Sequence, residues 1–262
     1  MNIIGIIPGR MSASRFPGKP LAKITGVPMI VHVWARSRLC GLLNEVYVAT
    51  CDTEIRDAIE RAGGQVIMTK DSHQRASDRC AEALRKVERK TGRKADIAVM
   101  IQGDEPLATP GMISQALRPM INDKRIFVVN LAAPLEDADE IHDRNEIKVV
   151  MNKKDDALYF SREPIPTIKK GANNTPFWKQ VCIIPFRKEF LSLYLKLCPT
   201  PLEAAESIDM LRVLEHGYSV RMVRIKDRTY SVDTPKDLSF VESIMKKDKL
   251  FNKYRSLAGR FR

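Results

Sequence analysis

Over its first 132 residues the chain alternates short β-branched runs with amphipathic helical stretches, a rhythm that few folds accommodate. Residues 3–8 (IIGIIP), 45–50 (EVYVAT), 65–69 (QVIMT), 96–102 (DIAVMIQ) and 126–132 (IFVVNLA) read as short, mostly buried strands. Between them, residues 28–40 place Ile30, Val33, Trp34 and Ser37 on one helical face behind Pro28. Residues 53–62 form a second helix, capped by Asp52 or Thr53 and closed by Gly63-Gly64. Residues 76–90 and 110–121 supply two more, the latter introduced by Thr109-Pro110. Such a βαβα order implies an α/β fold with a mainly parallel, doubly wound sheet, whose ligand lies beyond the carboxyl ends of the strands.

After about residue 135 the pattern changes. Strand-like pieces at 147–152, 157–162 and 179–186 come with many prolines, and helices are predicted at 188–197 and 202–216. In the second helix Ala205, Ile208, Leu211 and Leu214 form one stripe. Strand 219–225 and a helix from Pro235 follow. Residues 135–200 therefore read as an inserted, partly antiparallel lobe within one domain spanning residues 1–245, suited to acceptor recognition and dimer contacts.

Composition narrows the class. The 262 residues are 44% hydrophobic and 29% charged, enough to bury a sizeable core. No stretch approaches the roughly 18 apolar residues of a membrane span, and no signal peptide is evident. Cys40, Cys51, Cys80, Cys182 and Cys198 are odd in number and lack CxxC spacing, so they read as reduced thiols of a cytoplasmic protein. The net charge of +12 raises the question of nucleic acid, but no duplex-binding motif is present and none is expected to bind. Half of that charge sits in the tail 246–262, with seven basic residues against one acidic. There Leu250, Phe251, Tyr254, Leu257 and Phe261 interleave with the cations, so the tail reads either as a solvated basic end or as a weak contact to an anionic membrane surface.

Three constellations carry chemistry. The first strand empties into a loop holding Arg10, Arg15 and Lys19 among two glycines and two prolines, with nothing acidic among them. Converging cations and loop amides suit a polyphosphate. The loop is neither GxxxxGK[ST] nor GxGxxG, so it is no P-loop or dinucleotide fingerprint. In "VMIQGDEPL", Asp104 and Glu105 follow a buried strand directly and reach the rim where ligands bind. A carboxylate there can hold Mg²⁺, although one of the two acids can instead cap the next helix. In "YSVDTPKDL", Asp233 ends a late strand before Thr234-Pro235 starts a helix, and it reads either as a helix cap or, paired with Asp104, as a second metal ligand. His32, His142 and His216 show no partner in the sequence, Trp34 and Trp178 read as core or interface, and neither GxSxG nor HExxH occurs.

The segments "PGRMSASRFPGKPL", "HQRASDR", "QGDEP", "NEIKVV", "ALYFSREPIP", "PLEAAESIDMLRVLEHG" and "VDTPKDL" follow one another along residues 1–245. In that order they resemble the 3-deoxy-manno-octulosonate (Kdo) cytidylyltransferases. The resemblance implies a three-layer, Rossmann-like nucleotidyltransferase fold, a homodimer, and Mg²⁺-dependent transfer of CMP from CTP to the anomeric hydroxyl of a 3-deoxy-2-ulosonic acid. It further implies release of pyrophosphate and a place in lipopolysaccharide biosynthesis. It assigns Arg10, Arg15 and Lys19 to the triphosphate, Gly9 and Ser12 to the cytosine and triphosphate, and Asp104 and Asp233 to the metal. His73, Gln74, Ser77, Arg79 and Gln102 fall near the nucleotide, and Arg162 near the acceptor carboxylate. Departures gather on the acceptor side, where Gln180, Ile184 and Met210 (beside Asp209) stand in place of the family's usual His, Tyr and Gln, so the pocket is expected to offer fewer hydroxyl partners and to prefer a less hydroxylated or substituted acid to unmodified Kdo. Two alternatives stay open: CMP transfer to another acidic acceptor (an amino-substituted octulosonate, a nonulosonate or a phosphonate), or a catalytically silent nucleotide-binding relative.

Overall fold

The run Ile3-Ile4-Gly5-Ile6-Ile7-Pro8 has no polar side chain to leave in water, and it becomes a central strand, β1 (Ile3–Pro8), buried on both faces. The computed structural model describes residues 1–12, 16–73, 75–167 and 175–261. The chain divides into two compact units, residues 1–114 with 229–262, and residues 115–228.

In the first unit, β1 leads through a 3₁₀ turn at Lys19–Leu21 to a two-stranded ribbon, β2 (Lys23–Ile24) and β3 (Val27–Pro28). Helix α1 (Met29–Arg38) follows, then β4 (Glu45–Thr50), α2 (Thr53–Ala62), β5 (Gln65–Met68), α3 (Ala76–Thr91) and β6 (Ile97–Ile101). The strands pair in parallel in the order β6-β1-β4-β5, with Ile6 opposite Tyr47 on one side and Met100 on the other. Parallel pairing forces the carboxyl ends of all four strands onto one edge. Gly9, the segment 69–73 and Gln102 therefore lie along that edge, as doubly wound sheets place their ligands.

Helix α4 (Pro110–Asn122) carries the chain into the second unit. There β7 (Val129–Leu135), α5 (Ala138–His142), β8 (Lys148–Met151), β9 (Ala157–Ser161), β10 (Phe177–Val181), β11 (Ile183–Arg187), α6 (Lys188–Tyr194), α7 (Pro201–Glu206), α8 (Asp209–Glu215) and β12 (Arg221–Arg224) follow. Its sheet runs β12-β7-β10-β8-β9, parallel at β12/β7 and antiparallel elsewhere. The chain then returns to the first unit for α9 (Pro235–Met245).

Several expected elements are redrawn. The single helix expected over 202–216 is two, because Ser207 adopts a left-handed conformation (φ 55°) that ends α7. The strand expected over 179–186 is split at Cys182 into β10 and β11. The strand expected over 126–132 is shifted to Val129–Leu135. Asp233 was expected at a strand end and sits in a loop instead. Asp52 occupies the N-cap position of α2 without capping it; its Oδ2 accepts the Met11 amide at 2.8 Å and so pins the cationic loop.

The basic tail keeps its described cations exposed, as a solvated end would, but its aromatic residues do not face outward. Phe251, Tyr254 and Phe261 are buried in 3₁₀ turns at Phe251–Lys253 and Arg255–Phe261. The rings of Phe251 and Tyr254 lie 5.5 and 5.6 Å from that of His32 on α1. Lys23 Nζ donates to the Phe261 carbonyl at 2.7 Å, and Arg36 of α1 pairs with Asp248. The aromatic residues that suggested a membrane-facing stripe are thus spent inside the protein, each worth about 1.5–3 kcal/mol of burial. Among the described residues no helix is long and apolar enough to cross a membrane.

Candidate active site

Gly9 follows β1 and donates its amide to the Ala49 carbonyl at 3.0 Å, which holds the loop mouth against β4. A Cβ there would come within 2.5 Å of Ile30 Cδ1, so any larger residue would force that buried side chain to shift. Gly18 takes φ 73°, turning the chain so that Lys19 points back over the strand ends. A cavity of about 340 Å³ opens there, lined by Gly9, Arg10, Phe16, Lys19, His73, Arg75, Arg79, Gln102, Asp104 and Asp233 among others. That volume is within the range of small-molecule sites.

The acidic side of the cavity comes from two loops. Asp104 follows β6, and its backbone carbonyl accepts the Val232 amide at 3.0 Å, tying the Asp233 loop to it. Thr234 caps α9 in a capping box with Asp237, whose Oδ2 also accepts the Asp233 amide at 3.0 Å. Asp233 is therefore not the cap, and its carboxylate is released for another task. Lys19 Nζ bridges the two acids, 2.9 Å from Asp104 Oδ2 and 3.1 Å from Asp233 Oδ1. Burial works against the Lys19 charge, but both carboxylates outweigh it and hold its pKa above the ordinary lysine value. The other Asp104 oxygen, Oδ1, is buried with no hydrogen-bond partner among the described residues.

The opposite wall comes from the segment after β5 and from α3. Arg79 is buried; its Nη1 donates to Thr69 Oγ1 at 2.5 Å, whereas Nη2 is buried without an acceptor among the described residues. His73 Nε2 bonds Glu82 Oε2. Burial pushes Glu82 upward, but hydrogen bonds from Lys86, the Lys70 amide and His73 prevail and hold it at about 2.

Of the sequence-predicted residues, Gly9, Arg10, Lys19, His73, Arg79, Gln102, Asp104 and Asp233 meet around this one cavity. Ser12 is exposed and Ser77 is buried in the first turn of α3; neither lines it. Arg15 and Gln74 lie outside the described residues. Arg75, Phe16 and Glu82 were not anticipated. Glu82 does leave a trace in the sequence, an i,i+4 spacing to Lys86 on a helix that begins just after His73.

The acceptor candidates all belong to the second unit. Arg162 was expected to meet a carboxylate of the acceptor, but its guanidinium is committed to backbone carbonyls: Nε to Glu206 at 2.7 Å and Nη1 to Arg144 at 2.8 Å. Its own amide donates to Glu206 Oε2 at 2.8 Å. Ile184 is 2% exposed and Met210 0%, so both side chains are buried. Asp209 opens α8 and is half-buried. Gln180 is buried on β10 with Oε1 unpartnered among the described residues.

A cation-rich cavity at the carboxyl edge of a parallel sheet, with two acids on its rim, is built for a polyphosphate. A family model described as cytidylyltransferase matches residues 4–250. The chain belongs to the cytidylyltransferase family. It is 39% identical over 251 residues to a 3-deoxy-manno-octulosonate cytidylyltransferase of Geobacter metallireducens, covering 92% of this chain and 96% of that relative. It is 38% identical to the mitochondrial protein of the same name from Arabidopsis thaliana, covering 94% and 83%. Its fold matches a CMP:2-keto-3-deoxy-manno-octonic acid synthetase solved in complex with CTP, with a TM-score of 0.86, 37% identity, and 94% and 99% of the two chains covered. A 4-diphosphocytidyl-2C-methyl-D-erythritol synthase from Anaerococcus prevotii shares the fold at 13% identity and a TM-score of 0.62. This family membership makes the chain an α/β nucleotidyltransferase that uses CTP.

Proposed function

We propose that the protein transfers the CMP unit of CTP to the anomeric hydroxyl of Kdo, releasing pyrophosphate. The observation that carries this reading is the convergence of Arg10, Lys19, Arg79, His73 and Gln102 with Asp104 and Asp233 on one cavity. In this reading the acceptor hydroxyl loses its proton and forms the new P–O bond, while the bond between the α-phosphorus and pyrophosphate breaks. Arg10 and Lys19 offset charge on the triphosphate and on the departing pyrophosphate. No covalent intermediate with the protein is required.

The donor set fits Mg²⁺: two carboxylates, one with a buried oxygen left without a partner, are the hard ligands that cation combines with substrate phosphates. Asp104 and Asp233 would hold the ion, which when bound supplies Lewis-acid polarisation of phosphate oxygens. Arg15 belongs to the same proposal as a triphosphate ligand and Gln74 as a nucleotide contact, whereas Ser12 and Ser77 lie off the cavity and would act only by supporting the loop and the first turn of α3 beside it. Burial of Ile184 and Met210 removes the reason for preferring an acceptor with fewer hydroxyls, and Kdo is the acceptor named for the relatives. Asp209 and Gln180 stay as acceptor-side candidates, and a homodimer, as the resemblance implies, completes the proposal.

Pyrophosphate release with each nucleoside triphosphate against a panel of sugar acids tests it. Turnover with CTP and Kdo at kcat/KM of about 10⁴–10⁸ M⁻¹s⁻¹ is the expected result. Turnover with another acid and none with Kdo overturns the acceptor, and no turnover with any pair overturns the activity.

A further inference from the structure

Glu82 lines no part of the cavity, yet it holds one residue that does. Its carboxylate is anchored from three directions: Oε2 accepts the Lys70 amide at 3.0 Å, Oε1 pairs with Lys86 Nζ at 2.8 Å, and Oε2 also meets His73 Nε2. The three donors come from the segment after β5 and from the next turn of α3, so Glu82 fixes that segment against the helix. With hydrogen bonds holding it at about 2, the carboxylate is ionised at neutral pH and can only accept. Nε2 must therefore carry a proton. The second nitrogen, Nδ1, has no other hydrogen bond among the described residues and belongs to a side chain that lines the cavity.

We propose that Glu82 is a positioning residue that locks His73 as the Nε2–H tautomer, leaving Nδ1 as an acceptor for an N–H or O–H of the nucleoside part of the bound nucleotide. The inference rests on the nucleotide reading above and adds a residue and a direction to it. Two groups share the required chemistry, an exocyclic amine of the base and a ribose hydroxyl. Where the partner is the amine, His73 discriminates CTP from UTP, whose corresponding atom is a carbonyl oxygen. Where it is a hydroxyl, His73 discriminates CTP from its deoxy analogues. A carboxylate partner setting the tautomer of a working histidine is a general device.

The decisive variant is Glu82→Gln. It keeps the volume; the Lys86 ammonium holds the amide oxygen at the Oε1 position, so the NH₂ takes the place of Oε2, gives up the Lys70 amide and can donate to Nε2, which favours the Nδ1–H tautomer. Two measurements read it out. Imidazole ¹⁵N NMR should show His73 as Nε2–H in the wild-type protein, with the Nδ1 resonance moving on addition of CTP, and should show the tautomer inverted in E82Q. Kinetics should show the kcat/KM ratio of CTP over UTP, or of CTP over 2′- or 3′-deoxy-CTP, falling roughly tenfold in E82Q, the loss of about one hydrogen bond. That loss should disappear when E82Q is made in a His73→Ala background.

A wild-type ring that carries its proton on Nδ1, or on both nitrogens at the pH of the assay, overturns the proposal, and this needs no variant to fold. An equal loss of activity with every nucleotide, persisting in the His73→Ala background, overturns it in favour of a purely structural Glu82. A correct tautomer with no response to any nucleotide fails the nucleotide reading instead and leaves Glu82 locking His73 for no ligand, which also refutes the Nδ1 assignment.

Discussion

Replacing Lys19 by Met keeps the length of the side chain and removes only its charge. In the wild-type protein that charge lies 2.9 Å from Asp104 and 3.1 Å from Asp233. The lysine side chain is 13% exposed and the two carboxylates 25% and 19%, so water screens the contacts only in part. Losing one partner of a fully buried pair costs about 3–5 kcal/mol. With this residual exposure, and with the acids able to take up counter-ions, about 1–3 kcal/mol of stability is the expected loss. The cost in catalysis is separate. If Lys19 meets the charge on the departing pyrophosphate, its removal resembles loss of an oxyanion donor, about 10²–10³-fold in kcat. Pyrophosphate release at saturating CTP and Kdo, followed beside urea unfolding, separates the two effects. A further readout distinguishes a triphosphate ligand from a structural cation. Lys19 and a divalent metal compete for the same carboxylates, so Lys19→Met should bind Mn²⁺ more tightly than wild type when CTP is absent, as followed by EPR. A kcat within threefold of wild type with unchanged CTP affinity would refute the reasoning and return the loop to a solvated basic turn.

Asp104→Asn and Asp233→Asn are each expected to abolish turnover while the thermal midpoint stays near or above that of wild type, because an amide is nearly isosteric but ligates Mg²⁺ poorly; retained Mg²⁺-dependent turnover in either variant removes it from the metal site. His32 is buried between Tyr254 Oη at 3.1 Å and the Ile24 carbonyl at 2.8 Å, and burial chiefly depresses its pKa to about 4. The unfolded chain takes up the proton near pH 6.5 and the folded chain does not, so stability is complete above about 6.5 and falls by up to about 3 kcal/mol as pH drops to 4. Urea midpoints measured from pH 7 to 4 should fall less steeply in His32→Gln, and identical slopes would exonerate His32. Phe261→Ala should cost about 3 kcal/mol by vacating a buried aromatic site, read as a lower urea midpoint with an unchanged m-value; no change would mean the tail is not packed on the first unit.

The chain's own pattern of residues determined the first half of the molecule. Strands β1, β4, β5 and β6 are continuous apolar runs between amphipathic helices, and such runs are stable only as a covered parallel sheet, so their edges were legible to within a residue or so. The cationic loop was equally legible, because Arg10, Arg15 and Lys19 have no acid nearby in sequence to justify them. The break between α7 and α8 was not, since Ser207 falls within the unbroken stripe of Ala205, Ile208, Leu211 and Leu214 and only its left-handed backbone ends the helix. The double identity of Asp233, cap or ligand, was undecidable from one segment. It turned on which of Thr234 and Asp233 bonds the Asp237 amide, and on a lysine more than two hundred residues away reaching its carboxylate. The basic tail poses the same problem. Its charge is written in the sequence, but whether its aromatic rings face water, lipid or the protein depends on a pocket assembled by His32, Arg36 and Ile24. Local propensity and hydrophobic period act through neighbours along the chain and can be read there. Which carboxylate is left without a cap, and which ring has a place to be buried, are decided by partners that only folding brings within a few ångströms.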